Sequence, residues 1–325
     1  LPKQTYEIIA VSSLVILSLS ILYQGKTLEN FLPTAGVFAV AAFKILPSGN
    51  RLLLAFQSMR FHYQGLKILK NELKEIKIYK KETILSQNSD LLELNNKIEI
   101  INLNFKYKLR DKLVLKDINL EIKKTDSVGI IGESGSGKST LMDLIIGLYK
   151  PTEGKILCDG KNVNLNLKSW YENIGYVPQS IQLFDNSIKM NIAFGIDEKI
   201  VDNERVKECL RMTKLLDWVN SLDQKDETIV GDKGIRISGG QRQRIGIARA
   251  LYNKPKILFF DESTNSLDTE TEDQLMNEVN TLLTGITKII ISHRMATLKN
   301  CDKIYLIKDG KIHDSGSYEK MSKLS

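Results

Sequence analysis

Cysteine is scarce in this chain. Three residues, Cys158, Cys209 and Cys301, stand far apart in 325 positions. An odd number of widely spaced thiols gives neither a disulfide framework nor a metal-binding repeat, so they are read as reduced cytosolic thiols. Histidine is equally sparse at three residues. Charge is absent from one long stretch, Ile8 to Gly25, although 26% of the whole chain is charged. An initiator Met is also missing, since the chain begins at Leu1, and a truncated parent is expected.

The uncharged stretch has 18 residues, which as a helix reaches about 27 Å and matches the hydrocarbon thickness of a bilayer. A cleaved signal peptide fits less well, because Glu7 precedes the apolar run and no small-residue cleavage site clearly follows. A buried helix of a soluble protein is the other alternative. A second apolar stretch starts at Phe31 and runs, interrupted by Lys44 and Arg51, to Met59. The expected membrane helices are therefore 6–25 and 31–60.

Arg60 to Glu82 then carries seven Lys or Arg against three Glu. A basic run beside an apolar segment marks the cytoplasmic face of a membrane before it marks nucleic acid. It places the hairpin Gln24–Thr34 outside and both chain ends in the cytoplasm. Lys44, Ser48, Arg51, Ala55, Ser58 and His62 recur at alternating steps of four and three, so they share one helical stripe. Such a stripe either lines a path for anionic groups or consists of a snorkelling Lys44 and a border-marking Arg51. Pro47 removes one backbone hydrogen bond and is expected to kink the helix.

Leu66, Leu69, Leu73 and Ile76 continue at helical spacing among lysines. They read as a cytoplasmic extension of the second helix, with a basic calmodulin-type target or a coiled coil as alternatives. The expected organisation is a membrane part over 1–85, a polar linker over 86–96 and a second domain over 97–325.

From Lys97 the pattern becomes short and β-rich. Ile98–Leu103 and Val114–Ile122 read as antiparallel strands, and Val128–Ile131 as a buried strand running into Gly132–Thr140, GESGSGKST. Gly132, Gly137, Lys138 and Ser139 fit the phosphate-loop spacing, and a helix over Lys138–Leu148 is expected to follow. In this strand–loop–helix context backbone N–H groups cradle phosphates. Lys138 adds charge at the β and γ phosphates, and the Ser139 hydroxyl ligates magnesium.

Ile257–Phe260 is an apolar strand ending in Asp261-Glu262. The first carboxylate suits magnesium, held through water, and the second suits polarisation of an attacking water. Tyr107 either stacks on adenine or packs across strands. Gln179 follows Tyr176-Val177-Pro178 at a strand end, where it can sense magnesium and the water. Ser238-Gly239-Gly240 opens a helix expected over Gln241–Tyr252, whose free N–H groups suit a γ-phosphate. With this chain's own phosphate loop already serving one ATP, that helix start is expected to serve the ATP of a second subunit. His293 ends an apolar strand, Lys288–Ile291, at the expected nucleotide edge.

With these motifs in this order, Lys97–Leu324 resembles the nucleotide-binding domain of ABC transporters. The resemblance implies an α/β P-loop NTPase fold with an antiparallel β subdomain and a helical subdomain, preceded by a transmembrane helical hairpin. It assigns Tyr107 to adenine stacking. Gly132, Glu133, Ser134, Gly135, Ser136, Gly137, Lys138, Ser139 and Thr140 become the Walker A loop, and Gln179 the Q-loop. Ser238, Gly239, Gly240 and Gln241 match the signature, Asp261 and Glu262 the Walker B pair, Asp268 the D-loop and His293 the switch histidine.

The implied cofactors are ATP and Mg2+, with Ser139, Gln179 and Asp261 at the metal and Glu262, Gln179 and His293 catalytic. The implied partner is a second identical subunit docked head to tail, so that each phosphate loop faces the other's signature. Two departures are Ile237 in place of the usual Leu, and Thr125 at a turn where Gly is common.

Thr228–Gly234 resembles the cross-talk loop of exporters, which fuse six membrane helices to the ATPase. Ala42–Arg51, AFKILPSGNR, and its continuation to Leu69 resemble the sixth helix of bacterial flippases for lipid-linked oligosaccharides. The expectation is a multi-pass exporter subunit of the inner membrane, with its nucleotide-binding domain in the cytoplasm. Its expected partners are membrane lipid and an anionic, amphiphilic glycolipid substrate, and not nucleic acid. Export of another lipid or a peptide is the first alternative. A soluble ABC ATPase acting on DNA or ribosomes is the remote one.

Overall fold

A computed structural model describes residues 28–86, 91–108, 111–231, 234, 237–261, 278 and 281–323, with scattered positions before residue 28. Two compact units divide at Glu82 and Thr83.

Helix α1 (Leu28–Ser86), which up to Glu82 belongs to the first unit, is continuous over 59 residues and includes Pro33 and Pro47. The expected second span and its cytoplasmic extension are thus one uninterrupted element. Within it Gly36–Lys74 is long and apolar enough, by length and composition, to cross a membrane. Val37, Phe43, Leu52, Leu54 and Phe56 are all well exposed on it, which a lipid or protein neighbour would have to cover. Lys44, Ser48, Arg51, Ala55, Ser58 and His62 are exposed as well. Half of the expected first span lies outside the described residues, and the described half, which includes the short apolar helix Val11–Ser20, is helical.

The second unit is built on two sheets. A four-stranded antiparallel sheet has the order β2-β1-β4-β5, from β1 (Lys97–Phe105), β2 (Leu115–Lys123), β4 (Glu153–Cys158) and β5 (Lys161–Asn162). A six-stranded sheet has the order β10-β9-β3-β8-β7-β6. Its members are β3 (Ser127–Ile131), β6 (Ile174–Val177), β7 (Ile257–Asp261), β8 (Thr287–Ile291), β9 (Lys303–Lys308) and β10 (Lys311–Gly316). Strands β9, β3, β8, β7 and β6 run parallel, and β10 closes the edge antiparallel to β9. Strands β3 and β8 are buried at every residue, as expected for a parallel sheet covered on both faces.

Among the described residues of this unit the α-helices are α2 (Lys138–Ile146), α3 (Leu167–Glu172), α4 (Ile188–Ile192), α5 (Asn203–Met212), α6 (Leu216–Asn220), α7 (Gly239–Leu251) and α8 (Tyr318–Met321). One apolar core joins both sheets around α2, where Leu141, Leu144 and Ile145 meet Ile98, Ile118 and Phe259. A second gathers α4, α5, α6 and α7 against Val177, Leu258 and Phe260. The two cores share the parallel sheet, so its strand ends are the fixed frame on which loops from both sides are carried.

The polar composition of residues 86–96 suggests a linker, yet the later part of this segment is held tightly. Leu92 and Leu94 are buried. Leu92 N–H donates to Ser169 Oγ at 2.8 Å, and Asn173 Nδ2 donates to the Leu92 carbonyl at 2.7 Å. The Asp159 carboxylate accepts from the backbone N–H of Asn95, Asn96 and Lys97 at 2.6, 3.0 and 2.7 Å. A loop carboxylate is thereby used as a clasp on the incoming chain.

Thr125 adopts φ +68°, a left-handed conformation disfavoured for a β-branched residue. Its N–H donates to Thr287 Oγ1 at 2.9 Å, so the strained turn is tied to β8. The three cysteines are buried and unpaired. Burial pushes Cys158 and Cys209 up to about 11 and Cys301 up to about 12, which makes them inert thiols.

Burial raises the pKa of Asp159, but the three backbone N–H groups and Lys124 outweigh it, leaving a net lowered value. A carboxylate with a lowered folded pKa stabilises fully above its unfolded value, near pH ~4, and loses that contribution as pH falls through the folded value. Asp159→Asn should therefore lower the thermal midpoint at neutral pH. The gap from the wild type should shrink below about pH 4. A gap that does not change with pH would mean that the carboxylate charge is not what holds the clasp.

Candidate functional site

Strand β3 ends at Ile131, and the chain turns through Gly132–Gly137 into α2. Glycine is required at two points of this turn. At Gly132 a Cβ would lie 2.2 Å from the Ile307 carbonyl oxygen of β9, and at Gly137 one would lie 2.7 Å from Leu115 Cδ2 with φ at +107°. The loop is thus pressed against both sheets at once.

Lys138, the first residue of α2, is buried. Its ammonium donates to the Gly132 and Glu133 carbonyls at 2.9 and 3.0 Å, so the loop closes over its own lysine. The Ser136 hydroxyl is buried with no hydrogen-bond partner among the described residues, a cost of roughly 1–3 kcal/mol. An orphaned hydroxyl beside a lysine and a helix N-terminus is what an anion-binding loop presents. The residues fit a nucleotide's phosphates.

An open cleft of about 920 Å³ fronts the loop. It gathers Tyr107, Ser134, Gly135, Gly137, Lys138, Ser139, Thr140, Gln179 and His293, along with Lys112, Val114, Asp309 and Gly310. The phosphate loop, His293 and Gly310 meet here because β3, β8 and β9, which they follow in sequence, are neighbours in the parallel sheet. Tyr107 lines the cleft and also packs on neighbouring aromatic rings. Its ring sits edge-on to Phe105 and Tyr149, and its hydroxyl lies 3.0 Å from Thr140 Oγ1.

Asp261 ends β7, in register with Ile291 of β8. Its Oδ2 accepts from the Tyr176 hydroxyl at 3.2 Å. Burial raises the pKa of Asp261, against the lowering effects of Tyr176 and Lys138. Asp143 of α2 is also raised, by burial and then by Asp261. Both carboxylates are half-buried. Ser139, Gln179 and Asp261 offer oxygen donors, the set preferred by a hard divalent ion. Glu262 and Asp268 lie outside the described residues.

Ser238 caps α7. Its Oγ accepts from Gln241 N–H at 3.2 Å, and Gln241 Oε1 accepts from Ser238 N–H at 2.9 Å, a reciprocal capping box. The helix accordingly begins at Gly239, two residues before the expected Gln241. None of Ser238, Gly239, Gly240 and Gln241 lines the cleft at this chain's phosphate loop.

The motifs do not reveal what ties α7 to the segment after Gln179. Arg249 donates to the Asn191 carbonyl at 2.8 Å, the Gln182 carbonyl at 3.0 Å and Asn191 Oδ1 at 3.0 Å. Its guanidinium also lies over the stacked rings of Phe184 and Phe194. In sequence it is an ordinary basic residue in a last helical turn. A short bridge between Ser187 and Ile229, with Ile188 N–H donating to the Thr228 carbonyl, joins the same segment to the approach to the signature.

A phosphate loop between β3 and α2, an oxygen-rich carboxylate end on β7 and a capped glycine pair opening α7 define an ATP-binding P-loop domain. Residues 115–265 match the family model described as ABC transporter. The chain is 41% identical over 232 residues to the leukotoxin translocation ATP-binding protein LktB of Mannheimia glucosida, covering 71% of this chain and 32% of that protein. The same figures hold for the alpha-hemolysin translocation ATP-binding protein HlyB of Escherichia coli. Multidrug resistance protein 1 of Entamoeba histolytica is 39% identical over 70% of this chain and 18% of its own length.

A solved structure of a bacterial Atm1-family ABC exporter with ATP bound superposes with a TM-score of 0.66 at 33% identity, over 73% of this chain and 41% of that one. The second unit is an ABC-type ATP-binding P-loop domain, similar to those of exporters. The chain spans about a third of the length of the LktB and HlyB relatives.

Removing the Lys138 ammonium takes away a charged donor, each such hydrogen bond contributing about 1.5–3 kcal/mol. Lys138→Ala should weaken ATP binding by about 10- to 100-fold, as read by titration with a fluorescent nucleotide. Unaltered affinity would remove the loop from phosphate binding.

Proposed function

We infer that this chain supplies the ATP-hydrolysing part of a membrane exporter that acts as a head-to-tail pair and moves polypeptide out of the cytoplasm. The observation that carries the reading is the division of the site. One cleft collects the phosphate loop, Tyr107, Gln179 and His293, while the signature residues stand away from it, available to a second copy. The polypeptide class is supported by the relatives named for translocating leukotoxin and alpha-hemolysin. This favours the peptide alternative over the lipid-linked oligosaccharide expected from the resemblance of residues 42–69. The glycolipid reading keeps one supporting observation, the exposed Lys44 and Arg51 on one helical stripe of α1.

In this reading Tyr107 stacks on the base, and the loop N–H groups and Lys138 hold phosphate oxygens. Ser139, Gln179 and Asp261 hold Mg2+, which when bound supplies positive charge against the phosphates. Glu262 accepts a proton from the attacking water at its carboxylate, and Gln179 and His293 orient the water and the terminal phosphate. Ser238, Gly239, Gly240, Gln241 and Asp268 reach the partner's nucleotide. Helix α1 belongs to the membrane part, with the basic residues after Arg60 in the cytoplasm.

Glu262→Gln should leave ATP binding intact and cut turnover by about 10²–10⁴-fold, the span of a positioned general base. Normal turnover would remove Glu262 from that role. ATPase assays of the intact exporter in liposomes test the substrate class. Stimulation by an unfolded secreted polypeptide supports the main reading, whereas stimulation by a polyprenyl-pyrophosphate glycan alone overturns it in favour of the glycolipid.

A further inference from the structure

The carboxylate assigned to magnesium has a partner that none of the motifs contains. Tyr176 is on β6, whose register with β7 sets Tyr176 opposite Phe259 and Val177 opposite Phe260. From there its side chain reaches the end of β7, and its hydroxyl donates to Asp261 Oδ2 at 3.2 Å. Among the described residues, the Asp261 charge also acts on Asp143 of α2, a second carboxylate, while the Lys138 ammonium acts on Asp261 with the opposite sign. The two like charges repel. Without a donor on Oδ2, Asp261 is free to swing its oxygens away from Asp143.

We propose that Tyr176 is the positioning residue for the metal-binding carboxylate, fixing Asp261 Oδ2 through its hydroxyl so that the remaining oxygen stays aimed at the cation. Removing a group that orients a metal-binding carboxylate by hydrogen bonding costs about 10- to 100-fold in metal affinity or activity. The ring of Tyr176 is half exposed, so the hydroxyl can be deleted without opening a cavity. This inference rests on the assignment of Asp261 to the cation.

The test compares the full chain with its Tyr176→Phe variant in three measurements. Thermal midpoint and metal-free binding of a fluorescent ATP analogue should be unchanged. Affinity for Mn2+ in the presence of ATP, read by electron paramagnetic resonance, should fall about tenfold. Equal Mn2+ affinity in the two proteins would overturn the positioning role. Loss of metal-free nucleotide binding or of the folded state in Tyr176→Phe would overturn it too, since the hydroxyl would then serve the fold. If the wild type and Asp261→Asn bind Mn2+–ATP equally, the assignment of Asp261 itself fails, and that result is distinct from a failure at Tyr176.

Discussion

The second unit depends on how closely the phosphate loop is pressed between its two sheets. Gly132 has the Ile307 carbonyl at its back and Gly137 has Leu115 at its side. Only a chain without side chains at those two points can make the turn and still deliver Lys138 to the loop carbonyls. The antiparallel sheet supplies Leu115 and the parallel sheet supplies Ile307. The loop is therefore the seam where the sheets meet, and neither sheet can shift without moving it. Close packing of this kind transmits strain instead of absorbing it.

The second core works differently. Helices α4 to α7 share apolar contacts, but the polar connection to the sheet's end runs through few residues. Arg249 holds Gln182 and Asn191 from α7, and the Ser187–Ile229 bridge holds the approach to the signature. The chain following Gln179 and the helix opened by Ser238 are fastened to each other by directional bonds. A displacement of one carries the other, which links the edge of the nucleotide cleft to the helix start at Ser238.

Much of this arrangement is legible in the amino-acid order alone. Buried parallel strands announce themselves as unbroken apolar runs at Val128–Ile131 and Ile257–Phe260, since both faces are covered. The phosphate loop is legible because Gly132, Gly137 and Lys138 are each demanded by backbone geometry or charge. The signature helix starts two residues earlier than its pattern suggests, because the side chain of Gln241 reaches back to cap a turn that begins at Gly239. The roles of Tyr176 and Arg249 cannot be read from their neighbours in the chain, because each depends on a residue 58 to 85 positions away. The docked chain before β1 escapes detection for a related reason. Leu92 and Leu94 sit among polar neighbours, and only the pockets beside Ser169, Asn173 and Asp159 make them core.

The clasp at Asp159 bears on where this domain can be cut. A fragment starting at Lys97, at the first strand, would leave vacant the pockets of Leu92 and Leu94. It would also strip Asp159 of two of its three backbone donors and leave Ser169 and Asn173 without their Leu92 partners. A boundary upstream of Leu91 keeps that plug in place, so the shortest self-sufficient cassette is several residues longer than its sheets.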